Sequence, residues 1–204
     1  MTLLNVYAIS DAAPSTELRG ATGEPVGAIP SAGLFVLAGK VDAAPALSPD
    51  SLRAHDAAVR RLAHACAALL PVRFGAAVES IDLSQRAAEL LDALETVRNR
   101  EQMTLRVYGE RRSLDRSSGT TYLESLRRAR AVPELDPLRT ALSSLIRAER
   151  SEPHGESLVA SVYHLIDRGR SAEYLRKFSQ VPLTVRVSAS GPWPAWSFAP
   201  EAVR

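Results

Sequence analysis

The chain has 204 residues, 46% of them hydrophobic and 24% charged, with a net charge of +2. That is enough apolar material for one large or two small cores and too little charge to imply a polyanion partner. The opening Met-Thr-Leu-Leu-Asn-Val has no basic n-region, and the longest apolar run, near Gly33–Gly39, is far too short to cross a bilayer, so neither secretion nor membrane insertion is expected. Cys66 is the single cysteine, which excludes an internal disulfide and a cysteine-built zinc cage and points to a reducing, cytoplasmic address.

Leu3–Ser10 (LLNVYAIS) reads as an opening strand, followed by a loop to about Gly23 and then by strands at Pro25–Pro30 and Gly33–Val41, the last apolar on both faces and so central. A helix follows, capped by Ser48, with Pro49 in its first position and Asp50 at the positive end of the macrodipole. Leu52, His55, Val59, Leu62, Cys66 and Leu69 recur at helical steps along one stripe, and Pro71 ends it. On that stripe Cys66 reads as core filler and His55 as a hydrogen-bonded core histidine. A second helix starts near Ser80 or Ser84 and carries Leu83, Ala87, Leu90, Leu91, Leu94 and Val97 on one face.

The stretch EQMTLRVYGE alternates Met103, Leu105 and Val107 with polar partners, a strand with one buried face that opens a second domain. Thr121 and Glu124 form a capping box for a helix to about Ala131; Pro133 interrupts it, and Asp136 and Pro137 restart it with Leu138, Ala141, Leu142, Leu145 and Ile146 on its apolar side. A strand at Ser157–Ile166, a helix at Ser171–Ser179 and a strand at Pro182–Ser190 complete the order β-α-α-β-α-β. The fold class is therefore α+β in two domains: residues 1–100 form a mixed α+β domain, and residues 101–204 a modified ferredoxin-like domain with an aromatic tail. The second half is mildly basic, with sixteen Lys and Arg against twelve Asp and Glu.

Diagnostic catalytic spacings are missing: there is no GxSxG elbow, Gly-rich phosphate loop, HExxH or GxGxxG, and His55 and His64 point half a turn apart on one helix. Neither catalysis, a cofactor nor a metal is expected. Two stretches stand out instead. In LLPVRFG (Leu69–Gly75) a proline ends the helix, Arg73 sits between Val72 and Phe74, and Gly75 permits a turn that a side chain would forbid. Arg73 reads as a structural tie between helix and sheet, so that Arg73→Ala would reduce folded yield. In the tail ASGPWPAWSF, Pro192 and Pro194 stiffen the chain on both sides of Trp193; Trp193 and Phe198 are expected to pack on the second domain, with Trp196 exposed as a binding anchor.

These stretches carry a resemblance. LLPVRFG, between a helix bearing His55 and a Leu-rich helix, is similar to the Leu-Pro-x-Arg-Phe-Gly element of the gas vesicle GvpL/GvpF family. The tail Gly191, Pro192, Trp193, Pro194, Ala195, Trp196, Ser197, Phe198 resembles that family's Gly-Pro-Trp-Pro-Pro-Tyr-Ser-Phe ending, with Ala195 for a proline and Trp196 for the tyrosine. GTTYLESLRRAR, with Tyr122, and SVYHLIDRGRSAEYLRKF resemble further elements in the family's order, spanning most of the chain. Ala76 departs from a common Thr or Ser, and the second half is short for the family. The resemblance implies a non-catalytic, cytoplasmic and vesicle-associated accessory protein that binds the small hydrophobic shell protein and other accessory proteins, with Leu70, Pro71, Arg73, Phe74, Gly75, Tyr122 and the tail residues in structural or partner-binding roles. It implies no membrane, metal or nucleic-acid partner. The alternative is a nucleic-acid-binding module using the basic ferredoxin-like half, which lacks an RNP1-like run.

Overall fold

The computed structural model describes residues 2–109, 132–155 and 157–201. It is a mixed α+β structure with two sheets, and the chain forms two compact units: Met1–Arg100 with Trp193–Arg204, and Glu101–Pro192. The expected helix after Thr121, its capping box and Tyr122 lie outside the described residues.

In the first unit a sheet is built from β1 (Leu3–Ser10), β2 (Leu18–Arg19), β3 (Pro25–Ser31), β4 (Leu34–Val41), β5 (Leu69–Pro71) and β6 (Ala77–Val78). Its order is β2-β3-β4-β1-β5, with β6 also pairing β1. Central position explains the apolar runs: β1 is buried from Asn5 to Ser10, and Leu34, Val36 and Leu37 of β4 are fully buried. Helix α1 (Pro49–Ala65) starts as its sequence dictates. Ser48 Oγ accepts from the Ser51 amide at 3.1 Å, and Ser51 Oγ accepts from the Ser48 amide at 2.9 Å. Its Ala58, Val59 and Leu62 pack with Tyr7, Ala8, Leu37, Cys66 and Leu69 in one core cluster. Helix α2 (Ala87–Val97) follows a 3-10 turn at Ser84–Arg86, buries Leu90, Leu94 and Val97, and lies against β5.

Two expectations need correction here. The helix that was to run to Pro71 ends at Ala65, and Leu69–Pro71 is instead strand β5, paired with Ala8, Ile9 and Ser10. The apolar stripe continues across the break because Leu69 enters the same core from a strand. Leu52 and Leu91, placed on buried faces by periodicity, are 44% and 45% exposed.

The second unit holds β7 (Arg100–Tyr108), α3 (Asp136–Leu142), β8 (Ile146–Pro153), β9 (Leu158–Asp167), α4 (Ser171–Gln180) and most of β10 (Arg186–Trp193), in the sheet order β10-β7-β9-β8. Met103, Leu105 and Val107 alternate into its core, as their spacing predicts, and meet Leu135, Leu138 and Leu142 from the α3 side, Val162 and Ile166 of β9 and Tyr174 of α4. Strand β8 was not foreseen. It pairs antiparallel with β9 from Ile146↔Ile166 to Pro153↔Ala160, with a bulge between Ile146 and Ala148, so a β8–β9 hairpin stands where one strand was expected.

Candidate functional site

The LLPVRFG stretch forms an edge of the first sheet. On one side β5 pairs with the end of β1; on the other, β6 pairs with Leu4 and Asn5. Between them the Val72 amide donates to the Tyr7 carbonyl at 2.9 Å, and the Val6 amide donates to the Ala76 carbonyl at 2.8 Å. Tyr7 thus meets Val72 and its neighbour Val6 meets Ala76, so Arg73, Phe74 and Gly75 are inserted opposite a single step of β1. The insertion is a wide edge bulge, a device that re-aims side chains. Gly75 closes it at φ +94°, a conformation that favours glycine, and the Ala77 amide returns to the Gly75 carbonyl at 2.9 Å.

The bulge divides its side chains. Phe74 turns in and meets His55 edge-on, ring centroids 5.6 Å apart at 87°. Arg73 turns out: it is exposed, and it has no hydrogen bond or ion pair among the described residues. The expected tie between helix and sheet is therefore made by a different residue. His55, 3% exposed on α1, donates from Nε2 to the Val72 carbonyl at 2.9 Å and so pins the helix to the bulge. Burial holds the His55 pKa below its ordinary value, the bond to Val72 opposing, and the imidazole stays neutral. Its Nδ1 is buried without a partner among the described residues.

The tail closes over the same histidine. Gly191 has φ +134° and precedes a cis peptide bond to Pro192, which is exposed; Pro194 and Ala195 are buried, and a 3-10 turn at Trp196–Phe198 follows. Trp196 lies 6.3 Å from the His55 ring, while Tyr7 stacks on it at 5.2 Å and 29°. The tail was expected on the second domain, with Trp196 exposed. Instead Trp193 onward belongs to the first unit, and Trp196 is half-buried against the α1 core cluster. Phe198 is 3% exposed. Trp193 receives the Arg60 guanidinium of α1 over its ring at 4.2 Å, a cation–π contact, while Arg60 Nε holds Asp56 at 2.7 Å. Leu70 and Pro71 are buried in β5. Thus Leu70, Pro71, Arg73, Phe74, Gly75, Trp193, Pro194, Trp196 and Phe198 come together in one unit around α1 and β1.

Two polar clusters went unread in the sequence. In the first unit, Tyr7 Oη accepts from Asn5 Nδ2 at 2.8 Å and from the Ala21 amide at 2.7 Å, and donates to Glu24 Oε1. Burial and then the Glu24 bond push the Tyr7 pKa up to about 12. Burial acts to raise the Glu24 pKa, but bonds from Tyr7 and Thr22 outweigh it and hold the carboxyl below its ordinary value. In the second unit, fully buried His164 lies 2.6 Å through Nδ1 from the Tyr174 hydroxyl and donates from Nε2 to Glu149 at 2.9 Å. Arg139 Nη2 holds the same carboxylate at 2.8 Å. Burial would raise the Glu149 pKa; hydrogen bonds from His164 and Arg139 reverse this and take it down to about 2. Tyr174 is raised by burial and by the Glu149 charge. These chains link a tyrosine, a histidine and carboxylates, but Tyr7, Tyr174 and His164 are all fully buried, which fits packing rather than substrate contact.

Among the described residues no group of three or more His, Cys, Asp or Glu could hold a metal ion, and no helix is long and apolar enough to cross a membrane. No curated protein matches the chain. Solved structures do: gas vesicle protein GvpF from Microcystis aeruginosa superposes with a TM-score of 0.74 at 15% identity, covering 97% of this chain and 99% of that one. GvpF from Anabaena sp. PCC7120 gives a TM-score of 0.71 at 18% identity, covering 98% and 97%. At such identities the likeness establishes the α+β fold. Residues 3–200 match the family described as gas vesicle synthesis protein GvpL/GvpF, and the chain belongs to that family.

Proposed function

We propose that this chain is a non-catalytic accessory protein of gas vesicle assembly, an adaptor that binds the small hydrophobic shell protein and other accessory proteins in the cytoplasm and stays associated with the vesicle. The observation that carries the reading is the family match over residues 3–200. The physical rationale is that subunits which polymerise through apolar strands and helices expose aggregating surfaces beforehand, and a folded partner can shield or align them. The buried, packing use of His55, His164 and Tyr174 supports a protein that works by surface rather than by turnover.

In this reading the two compact units act as two domains. The strand order β10-β7-β9-β8, fourth-first-third-second within the second unit, supports treating that unit as a modified ferredoxin-like domain. The family-motif residues divide by role: Leu70, Pro71, Phe74, Gly75, Pro194 and Phe198 hold the first unit together, and Arg73 meets partners. The test is co-expression with the shell subunit followed by affinity capture, alongside deletion of the gene. Capture of the shell subunit and loss or malformation of vesicles are expected; no capture together with unchanged vesicles refutes the proposal.

A further inference from the structure

We propose that His55 is a proton-sensitive latch for the tail: in acid its ring takes up a second proton and Trp193–Phe198 leaves the α1 face, the rest of the fold staying in place. The inference is independent of the adaptor reading, since it concerns this chain by itself. Three separate segments converge on the one ring. Tyr7 of β1 stacks on it, Phe74 of the bulge meets it edge-on, and Trp196 of the tail lies 6.3 Å away at 38°. Nε2 donates to the Val72 carbonyl at 2.9 Å, so Nδ1 is the nitrogen without a proton, buried and without a partner among the described residues.

A second proton can enter only at Nδ1. It creates a donor and a positive charge in a buried place where no described residue accepts from that nitrogen, and both are costly there. The groups around the ring do not relieve this. Tyr7 keeps its proton up to about 12 and directs it at Glu24. Asp56, next to His55 on α1, is engaged by Arg60, whose guanidinium lies over Trp193. Arg73, beside Phe74, adds positive charge, and Trp193–Ala199 carries no titratable side chain. The Tyr7 and Trp196 ring faces, the Val72 bond and the Asp56 charge favour a cation, but burial outweighs them and holds the His55 pKa below its ordinary 6.5.

Admitting water relieves the charge, and the geometry selects the wall that opens. The Nε2 bond to Val72 survives protonation and strengthens with the charge, so α1 and the bulge stay joined. Tyr7 is fully buried and anchored through Oη to Asn5, Ala21 and Glu24. The tail is the remaining wall. It is a 3-10 turn whose Trp196 and Phe198 amides bond to Pro194 and Ala195 within the tail itself, and Trp196 is only half-buried. With the tail released, His55 binds a proton at its ordinary pKa; with the tail docked, it refuses one until a lower pH. Docking is therefore complete above about pH 6.5 and lost as pH falls through that window.

Trp193 and Trp196 are the chain's two tryptophans, so indole emission reads the tail alone. The test is emission and acrylamide quenching of the full chain from about pH 7.5 to about pH 4.5, with far-UV circular dichroism alongside, for wild type, His55→Gln and His64→Gln. His55→Gln keeps an amide donor for the Val72 carbonyl and cannot take up a proton; His64 is exposed on the same helix and serves as the control. In wild type and His64→Gln, emission should shift red and quenching should rise below about pH 6.5 at constant circular dichroism, the released-to-docked ratio changing by up to about tenfold per pH unit. His55→Gln should show no such transition. The inference is overturned by a wild-type tail that stays shielded to about pH 4.5, by an equal transition in His55→Gln, or by loss of circular dichroism together with the emission change. Should His55→Gln not fold at neutral pH, nuclear magnetic resonance of wild type decides: the His55 ring and both indole N–H signals are expected to titrate with one midpoint, and separate midpoints overturn the inference.

Discussion

Replacing Glu149 with glutamine should change how the second unit responds to acid, by an amount the structure sets. The Glu149 carboxylate accepts from Arg139 Nε and Nη2 and from buried His164, and its pKa falls from 4.5 to about 2. A depression of that size corresponds to at most about 3 kcal/mol of stability at neutral pH. The side chain is 28% exposed, so solvent screening reduces the working figure to about 2 kcal/mol. The sign follows from proton counting: below about pH 5 the unfolded chain takes up a proton at Glu149 that the folded chain refuses until about pH 2. The contribution is thus complete above the unfolded pKa and lost as pH falls through that window. Glu149→Gln keeps the shape and discards the charge; at pH 7 it should be less stable than wild type by about 2 kcal/mol in urea denaturation, and the two curves should converge as pH approaches about 2. Other carboxylates titrate in both proteins and cancel in the difference. A gap between the curves that stays constant from neutral pH down to about pH 2 would refute the assignment of Glu149 as the charged centre of this network.

Tyr7→Phe strands the Asn5 amide and the Ala21 N–H and takes the donor from Glu24 Oε1, leaving Oε2 with Thr22, and should cost about 2–4 kcal/mol in urea denaturation. Because the Tyr7 pKa is raised from 10.0 to about 12, wild type should also lose stability as pH rises through that interval, and Tyr7→Phe should lose less. Gly75→Ala meets no atom within 4 Å, so its cost is the positive φ alone, about 1–2 kcal/mol, read as a lowered melting temperature without loss of cooperativity. Trp196→Ala should destabilise the first unit by about 2 kcal/mol, less than a fully buried tryptophan, since its ring packs on the α1 cluster and faces His55. An unchanged melt for Trp196→Ala would restore it to the role of an exposed anchor.

Much of the fold was legible because its signals are local. Ser48, Pro49 and Asp50 mark the start of α1, and the alternation at Met103, Leu105 and Val107 marks β7, without reference to anything distant. Where the pattern misled, the deciding partner was remote. Leu69 sits at a helical step from Leu62 and Cys66, and only its pairing with Ser10, far away in sequence, makes it strand. Strand β8 reads Ile-Arg-Ala-Glu-Arg-Ser-Glu-Pro and looks like a loop. It can be a strand because it lies at the sheet edge, where Arg147 finds Asp167 and Glu149 finds Arg139 and His164.

The candidate site divides along the same line. Gly75 was legible as a turn residue and His55 as a core histidine, because each needs only its own backbone or its own helix face. The direction of Arg73 was not, since it depends on the register with which β5 and β6 flank a single step of β1. Nor was the destination of the tail. Prolines around Trp193 state that the strip is stiff and that its rings will dock at small entropic cost, but a stiff strip can dock wherever a complementary surface lies. That surface is the α1 face: Arg60 under Trp193, and His55, itself held by Val72, under Trp196. One histidine thereby ties together a helix, the bulged edge and the end of the chain. The LLPVRFG stretch and Trp193–Phe198 of the tail, more than a hundred residues apart, form one local structure within the first unit, whose exposed charge is Arg73.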